Sequence, residues 1–188
     1  MTEMSDVGLA MLLVRRLAHD FAGPVGAIGT AVEMLDDGAD AELVALVADS
    51  ARELGALLRL LRFIMAPGAA SGDEGRDLLT AWLLARDAPA VAWPDSDDWP
   101  AGTAALTTGL AMLASEAARG GVLSVGPREI TLAATAINFA DDVAATLEGR
   151  MPAETTAQAV AGVLAGQAAT LGRRLNIERG DGVLTIRG

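Results

Sequence analysis

Leu17-Ala18-His19-Asp20-Phe21-Ala22-Gly23-Pro24-Val25-Gly26-Ala27-Ile28 holds the one histidine of this 188-residue chain, in the middle of a long amphipathic pattern. From about residue 5 to 37, Ala10, Leu13, Leu17, Phe21, Pro24, Ile28, Val32 and Leu35 recur at three- and four-residue steps, the spacing of one apolar stripe on a helix. Asp36-Asp37-Gly38 ends the pattern, with Gly38 suited to the left-handed turn that follows a helix. Asp40 is then placed to cap a second helix, on which Leu43, Val47, Leu54, Leu57, Leu58, Leu61 and Ile64 or Met65 again make a stripe. Two long helices joined by a short turn form an antiparallel hairpin. A hairpin has a single layer, and these stripes are wider than one partner helix covers. The pattern therefore predicts that two copies pair into a homodimeric four-helix bundle.

Bulk composition narrows the classes of function. A hydrophobic content of 52% supplies ample core for one medium domain or two small ones. With no cysteine, disulfides and thiolate metal sites are excluded. The start Met1-Thr2-Glu3-Met4-Ser5-Asp6 lacks the basic residues of a signal peptide, and a cytoplasmic location is expected. The uncharged runs Trp99 to Ser115 and Thr155 to Gly172 carry too many Gly, Pro, Gln and Thr positions to read as membrane spans. All 14 basic residues are arginine, which excludes the lysine chemistry of Walker phosphate loops and Schiff bases. A net charge of −11 argues against nucleic acid, whose affinity comes mainly from neutralised phosphates. Protein partners are left.

Beyond the hairpin, Pro67-Gly68-Ala69-Ala70-Ser71-Gly72-Asp73-Glu74-Gly75 reads as a linker by composition, and a second unit begins near Arg76. The boundaries expected are a helical-hairpin unit over 1–66 and an α/β unit over 76–188. Within the second, residues 76–87, 101–119, 140–149 and 154–171 read as helices and Ala90-Val91-Ala92-Trp93 as a short strand. Val122–Val125 and Glu129–Ala134 read as an antiparallel pair around a Gly126-Pro127 turn. Leu175–Glu178 and Val183–Ile186 form a hairpin over Gly180-Asp181-Gly182. The fold class is α+β, a hairpin followed by an α/β sandwich.

His19 is the candidate reactive group. At 100° per residue it lies about 200° around the helix from Leu17, so it points away from the apolar seam. An imidazole with an ordinary pKa of about 6.5 is largely neutral in the cytosol and can attack an acyl phosphate through a ring nitrogen. Arg15 and Arg16, four and three residues earlier, lie on the same side, either to balance the charge of a phosphohistidine or as a solvated face. Asp20 is placed to fix the imidazole tautomer through a hydrogen bond or to stand as a surface charge. Pro24 removes a helix hydrogen bond below the histidine. Gly23 and Gly26 each cost about 1 kcal/mol relative to alanine in a helix interior. Two readings fit them: close approach of a partner to His19, or packing within the bundle.

His19-Asp20 followed by Pro24 resembles the H-box of histidine-kinase dimerisation domains, and HDFAGPVGAIGTAVEML (19–35) is similar to the alphaproteobacterial ChpT-like histidine phosphotransferases. The resemblance continues through LLRLLRF (57–63), AWP (92–94), GGVLSV (120–125) and GRRLNIERGDGVLTIRG (172–188), and so covers nearly the whole chain. It implies a dimerisation hairpin followed by a degenerate kinase ATPase domain, and Asp20 as the acid that assists transfer. Active members of that ATPase fold use an Asn-rich helix for Mg²⁺ and Asp-x-Gly-x-Gly loops for nucleotide. Here residues 101–119 contain no asparagine and no such loop occurs, so autophosphorylation is not expected.

The resulting expectation is a phosphorelay intermediate that carries a phosphoryl group on His19 between receiver-domain aspartates. It binds no cofactor or metal itself; Mg²⁺ is expected on the partner receiver. The expected partners are a second copy, the receiver domain of a hybrid histidine kinase, and response regulators, with no nucleic acid and no membrane. Catalysis is assigned to His19 and Asp20, and docking to Arg15, Arg16, Gly23 and Gly26. Two other classes stand beside this one: a scaffold or inhibitor that binds a kinase or response regulator without taking phosphate, and an atypical histidine kinase.

Overall fold

The computed structural model of the chain describes residues 6–35, 40–65, 71–84, 86, 88–94, 99–100 and 102–188. Helix α1 (Asp6–Leu35) and helix α2 (Ala41–Met65) stand where the apolar periodicity put them, packed along each other. Asp40 caps α2: its Oδ1 accepts the backbone N–H of Glu42 at 2.9 Å. The turn expected at Asp36-Asp37-Gly38 lies outside the described residues.

Most of each expected stripe faces inward, and a few of its members do not. On α1, Leu13, Leu17 and Phe21 pack against the core and Ala31 is buried, whereas Ala10 and Val32 are exposed. Val32 belongs to a second, outward row with Val7, Met11, Val14 and Val25. Likewise on α2, Leu57, Leu60, Leu61 and Ile64 are buried while Val44 and Leu58 are exposed. Each hairpin helix thus carries two apolar rows, and a single-stripe reading merges them.

Helix α3 (Gly72–Leu83) overturns the 71–75 part of the linker expected over 67–75, and with it the helix start near Arg76; residues 67–70 lie outside the described residues. Ser71 is its N-cap, in an extended conformation, with Oγ accepting the N–H of Glu74 at 3.1 Å. The two glycines that looked like linker are buried in its first turns. At Gly75 an added Cβ would collide with Thr108 and come within 3.2 Å of Phe63, so the missing side chain is what lets the helices close. Residues 85 and 87, where the helix was expected to end, are not among those described.

Among the described residues five strands form one sheet: β1 (Ala90–Ala92), β2 (Val122–Val125), β3 (Glu129–Ala133), β4 (Asn176–Gly180) and β5 (Val183–Arg187), in the order β1-β2-β3-β5-β4. β1 runs parallel to β2, and the other pairs are antiparallel. Helix α4 (Thr103–Ser115) makes the crossover between the parallel pair, as a parallel connection requires. Helix α5 (Asp141–Leu147), a 3₁₀ turn at Thr156–Gln158 and helix α6 (Ala159–Thr170) complete the chain order before the last hairpin. The segment read as one helix over 154–171 is therefore a 3₁₀ turn running into an α-helix. A Thr155–Gln158 capping box fixes its start.

Alternation along the strands turns Leu123, Val125, Ile130, Leu132, Leu184 and Ile186 into the core. Every residue of α4 is buried, so that helix shows no amphipathic period at all. It lies between the sheet and α2, α3 and α6. The buried residues of α2, α3, α4, α5, α6 and the sheet form one continuous cluster, against which α1 lays Leu13, Leu17 and Phe21. The α+β class expected from the sequence is the class observed, and the histidine helix rests directly on the core of the α/β part. Among the described residues no helix is long and apolar enough to cross a membrane.

Candidate functional site

His19 sits midway along α1 with 87% of its side chain exposed, as its offset from Leu17 requires. Its Nδ1 is 3.2 Å from Oδ1 of Asp20. The other oxygen of the same carboxylate, Oδ2, accepts a hydrogen bond from Nε of Arg16 at 2.7 Å, an i to i+4 pair along the helix. Arg16 does not stop there. Its Nη2 donates to both carboxylate oxygens of Glu116, at 3.1 and 3.2 Å, across to the residue that caps the end of α4. An ordered chain of charges therefore runs from the core-bound end of α4 through Arg16 and Asp20 to the imidazole.

Burial opposes charge on Arg16, but the carboxylates of Glu116 and Asp20 outweigh it and hold the guanidinium pKa above its ordinary value. At Glu116, burial pushes the carboxyl above the usual carboxylate range against the attraction of Arg16, and the negative charge of Asp20 pushes the same way. The cation is thus shared between two acids that would otherwise repel each other.

Pro24 lies inside α1 and has no N–H for the carbonyl of Asp20, four residues before it. The helix ladder is therefore one bond short at the site. Arg15 is exposed and stands outside the charge chain. Gly23 and Gly26 are exposed, and a Cβ built on either meets no atom within 4 Å. The geometry gives these glycines no packing role within a single chain.

Gly26→Leu is expected to leave the fold intact or more stable by somewhat under about 1 kcal/mol, since leucine has the better helix propensity and nothing obstructs it. On the expectation that a partner docks around His19, phosphoryl transfer should slow, because Gly26 is two turns from His19, roughly 10 Å along the axis. Melting temperature and transfer rate measured on the same variant check both halves; unchanged transfer in a well-folded protein would remove this face from the docking surface.

The structure brings together His19, Asp20 and Arg16 of the sequence-assigned residues and leaves Arg15 and the two glycines as open surface around them. Glu116 was missed. Its partner is 100 residues away, and the one trace it leaves in the sequence is that it is the first charge after the uncharged run Trp99 to Ser115.

No family model matches the chain. Over 72 residues it is 36% identical to Protein phosphotransferase ChpT of Brucella abortus (strain 2308), a stretch covering 38% of this chain and 34% of that protein's length. Among solved structures, a bacterial phosphotransferase superposes with a TM-score of 0.83 over 98% of this chain and 97% of its own, at 22% identity, which establishes a shared fold. The histidine kinase AdeS of Acinetobacter baumannii stands further off, 13% identical with a TM-score of 0.48 over 90% of this chain and 96% of its own.

Proposed function

We propose that the chain is a histidine phosphotransferase of two-component signalling, which takes a phosphoryl group from a receiver aspartyl phosphate onto His19 and passes it to the aspartate of another receiver. The single observation that carries the reading is the imidazole itself: exposed, with Nδ1 beside Asp20, so that Nε2 is the nitrogen presented outward. The Nε2 lone pair forms the N–P bond as the acyl O–P bond breaks, and the receiver carboxylate leaves with the electron pair. No proton need move. The one on Nδ1 stays against Asp20, whose charge balances the positive ring of the phosphoimidazole. Phosphoryl transfer depends on positioning and charge balance, and this chain supplies a placed nucleophile and a docking surface while the magnesium ion belongs to the receiver. Similarity to a protein phosphotransferase over 72 residues and the shared fold with a bacterial phosphotransferase support the same reading.

Mixing the chain with a receiver domain phosphorylated by acetyl phosphate, and separately with Mg-ATP, tests it against its rivals. Label should pass from the receiver to this chain and none should come from ATP. A scaffold would bind the receiver without taking label, and an atypical kinase would take it from ATP.

The working form in this proposal is a homodimer. The outward apolar rows of α1 and α2 need cover, and Val44, Ala51 and Leu58 follow one another at the seven-residue step of a helical seam. A second copy of the same hairpin, as a four-helix bundle, buries both rows at once. Leu58 separates the two states because it is 47% exposed in the single chain. In a monomer Leu58→Asp would be within about 0.5 kcal/mol of neutral. In the bundle it buries an unpartnered charge and costs about 3–5 kcal/mol. Light scattering should show dissociation together with a lowered melting temperature; a variant that remains a stable dimer would contradict this placement.

A further inference from the structure

We propose that Glu116 is a positioning residue for the phosphoryl acceptor, which acts by occupying the one nitrogen of Arg16 that would otherwise draw Asp20 away from His19. The inference rests on His19 being the acceptor.

The argument is geometric. A guanidinium beside a lone carboxylate settles into a bidentate fork, two parallel N–H···O bonds that engage both oxygens. Along the side edge of arginine the two donors of that fork are Nε and Nη2. Arg16 gives Nε to Asp20 Oδ2 at 2.7 Å, and its Nη2 is taken by Glu116 through both carboxylate oxygens at 3.1 and 3.2 Å. The fork to Asp20 is therefore held half open. Oδ1 is left for His19 Nδ1, 3.2 Å away. Asp20 alone cannot enforce this, because Arg16 lies one helical turn before it on the same helix and already holds its Oδ2.

Glu116 is suited to the task by where it stands. It follows directly on α4, whose residues are all buried, so its backbone is fixed to the core while its carboxylate reaches the surface at α1. The tautomer of an imidazole is set by the hydrogen bond that one of its nitrogens makes. Holding Oδ1 at Nδ1 keeps the proton there and the lone pair on Nε2. Without Glu116 the guanidinium is free to swing Nη2 onto Oδ1, where it competes with the imidazole and draws the carboxylate toward itself; the contact to Nδ1 weakens, and the ring proton distributes over both nitrogens.

One histidine in the chain makes the tautomer directly readable. With ¹⁵N-labelled imidazole in the full-length protein, above the pH where the ring titrates, the wild type should show a protonated Nδ1 and an unprotonated Nε2. In Glu116→Ala the Nδ1 resonance should move toward the unprotonated range. The rate at which phosphoramidate phosphorylates His19 should fall by about tenfold, the lower end for loss of an orienting partner. Glu116→Gln, which still accepts from Nη2, should restore both readings. A tie that merely fastens α1 to α4 would lower the melting temperature of Glu116→Ala and leave the tautomer alone; an unchanged Nδ1–H population in that variant overturns the proposal. Should the wild type take no phosphate at all, the acceptor role of His19 falls, whereas the tautomer shift still decides what Glu116 does.

Discussion

Replacing His19 by alanine is expected to abolish phosphoryl acceptance while leaving the protein as stable as before. The side chain is 87% exposed, and what the substitution removes is one solvent-facing contact to Asp20. Alanine also has the better helix propensity, by up to about 0.7 kcal/mol, so α1 loses nothing. The chemistry, in contrast, loses its only imidazole. Nothing else in a chain without cysteine or lysine offers a neutral nucleophile whose phosphorylated form is comparably ready to give the group up. Label from a phosphorylated receiver should drop to background, with thermal unfolding unchanged. Residual acid-labile phosphate on the His19→Ala protein would contradict the assignment.

Gly109→Leu should produce the largest loss of stability. Gly109 lies in the middle of α4, where Leu164 of α6 packs directly over it and Ile64 of α2 would be 3.1 Å from an added Cβ. Both neighbours are fully buried, so neither has space to retreat. Overfilling such a core costs about 1–3 kcal/mol, and a whole isobutyl group belongs at the upper end, well above the gain of under about 1 kcal/mol from replacing a helical glycine. Because α2, α4 and α6 share one cluster with the residues that seat α1, the damage should reach the histidine helix. Denaturant unfolding should show a stability lowered by about 3 kcal/mol, read as a lower midpoint at unchanged slope. Gly26→Leu, the same chemical change on α1 where nothing lies within 4 Å of the added Cβ, should show no such loss. A Gly109→Leu protein as stable as wild type would mean that α4 is not the centre of the core.

How much of this was legible beforehand depends on how local the cause is. The hairpin helices announce themselves because their apolar rows repeat over many turns, and Asp40 caps α2 where it was expected to. The edges of the rows are harder to read. With an outward row such as Val7, Met11, Val14, Val25 and Val32 beside the inward one, in a chain rich in alanine and leucine, the boundary between the two blurs and Val32 is read into the wrong row. The stretch 67–75 reads as linker because proline, glycine and alanine make up most of it, yet Ser71 and Glu74 already spell an S-x-x-E helix start, and the bond from Glu74 N–H to Ser71 Oγ is there. Glycine in that turn answers to Thr108 and Phe63, neighbours that no local window contains. The same separation explains the site. His19, Asp20 and Arg16 lie within one helical turn and could be read together, whereas Glu116 joins them only after α4 has been placed against the sheet and α2.

The central claim, that His19 carries the phosphoryl group on Nε2, is tested most directly by ³¹P NMR of the full-length chain after incubation with a phosphorylated receiver domain. The account predicts a single phosphoramidate resonance, stable in base, lost in acid and assignable to Nε2 of the one imidazole. A receiver that binds and keeps its phosphate while this chain shows no phosphorus signal, or a signal with the acid stability of a phosphate ester, would contradict it.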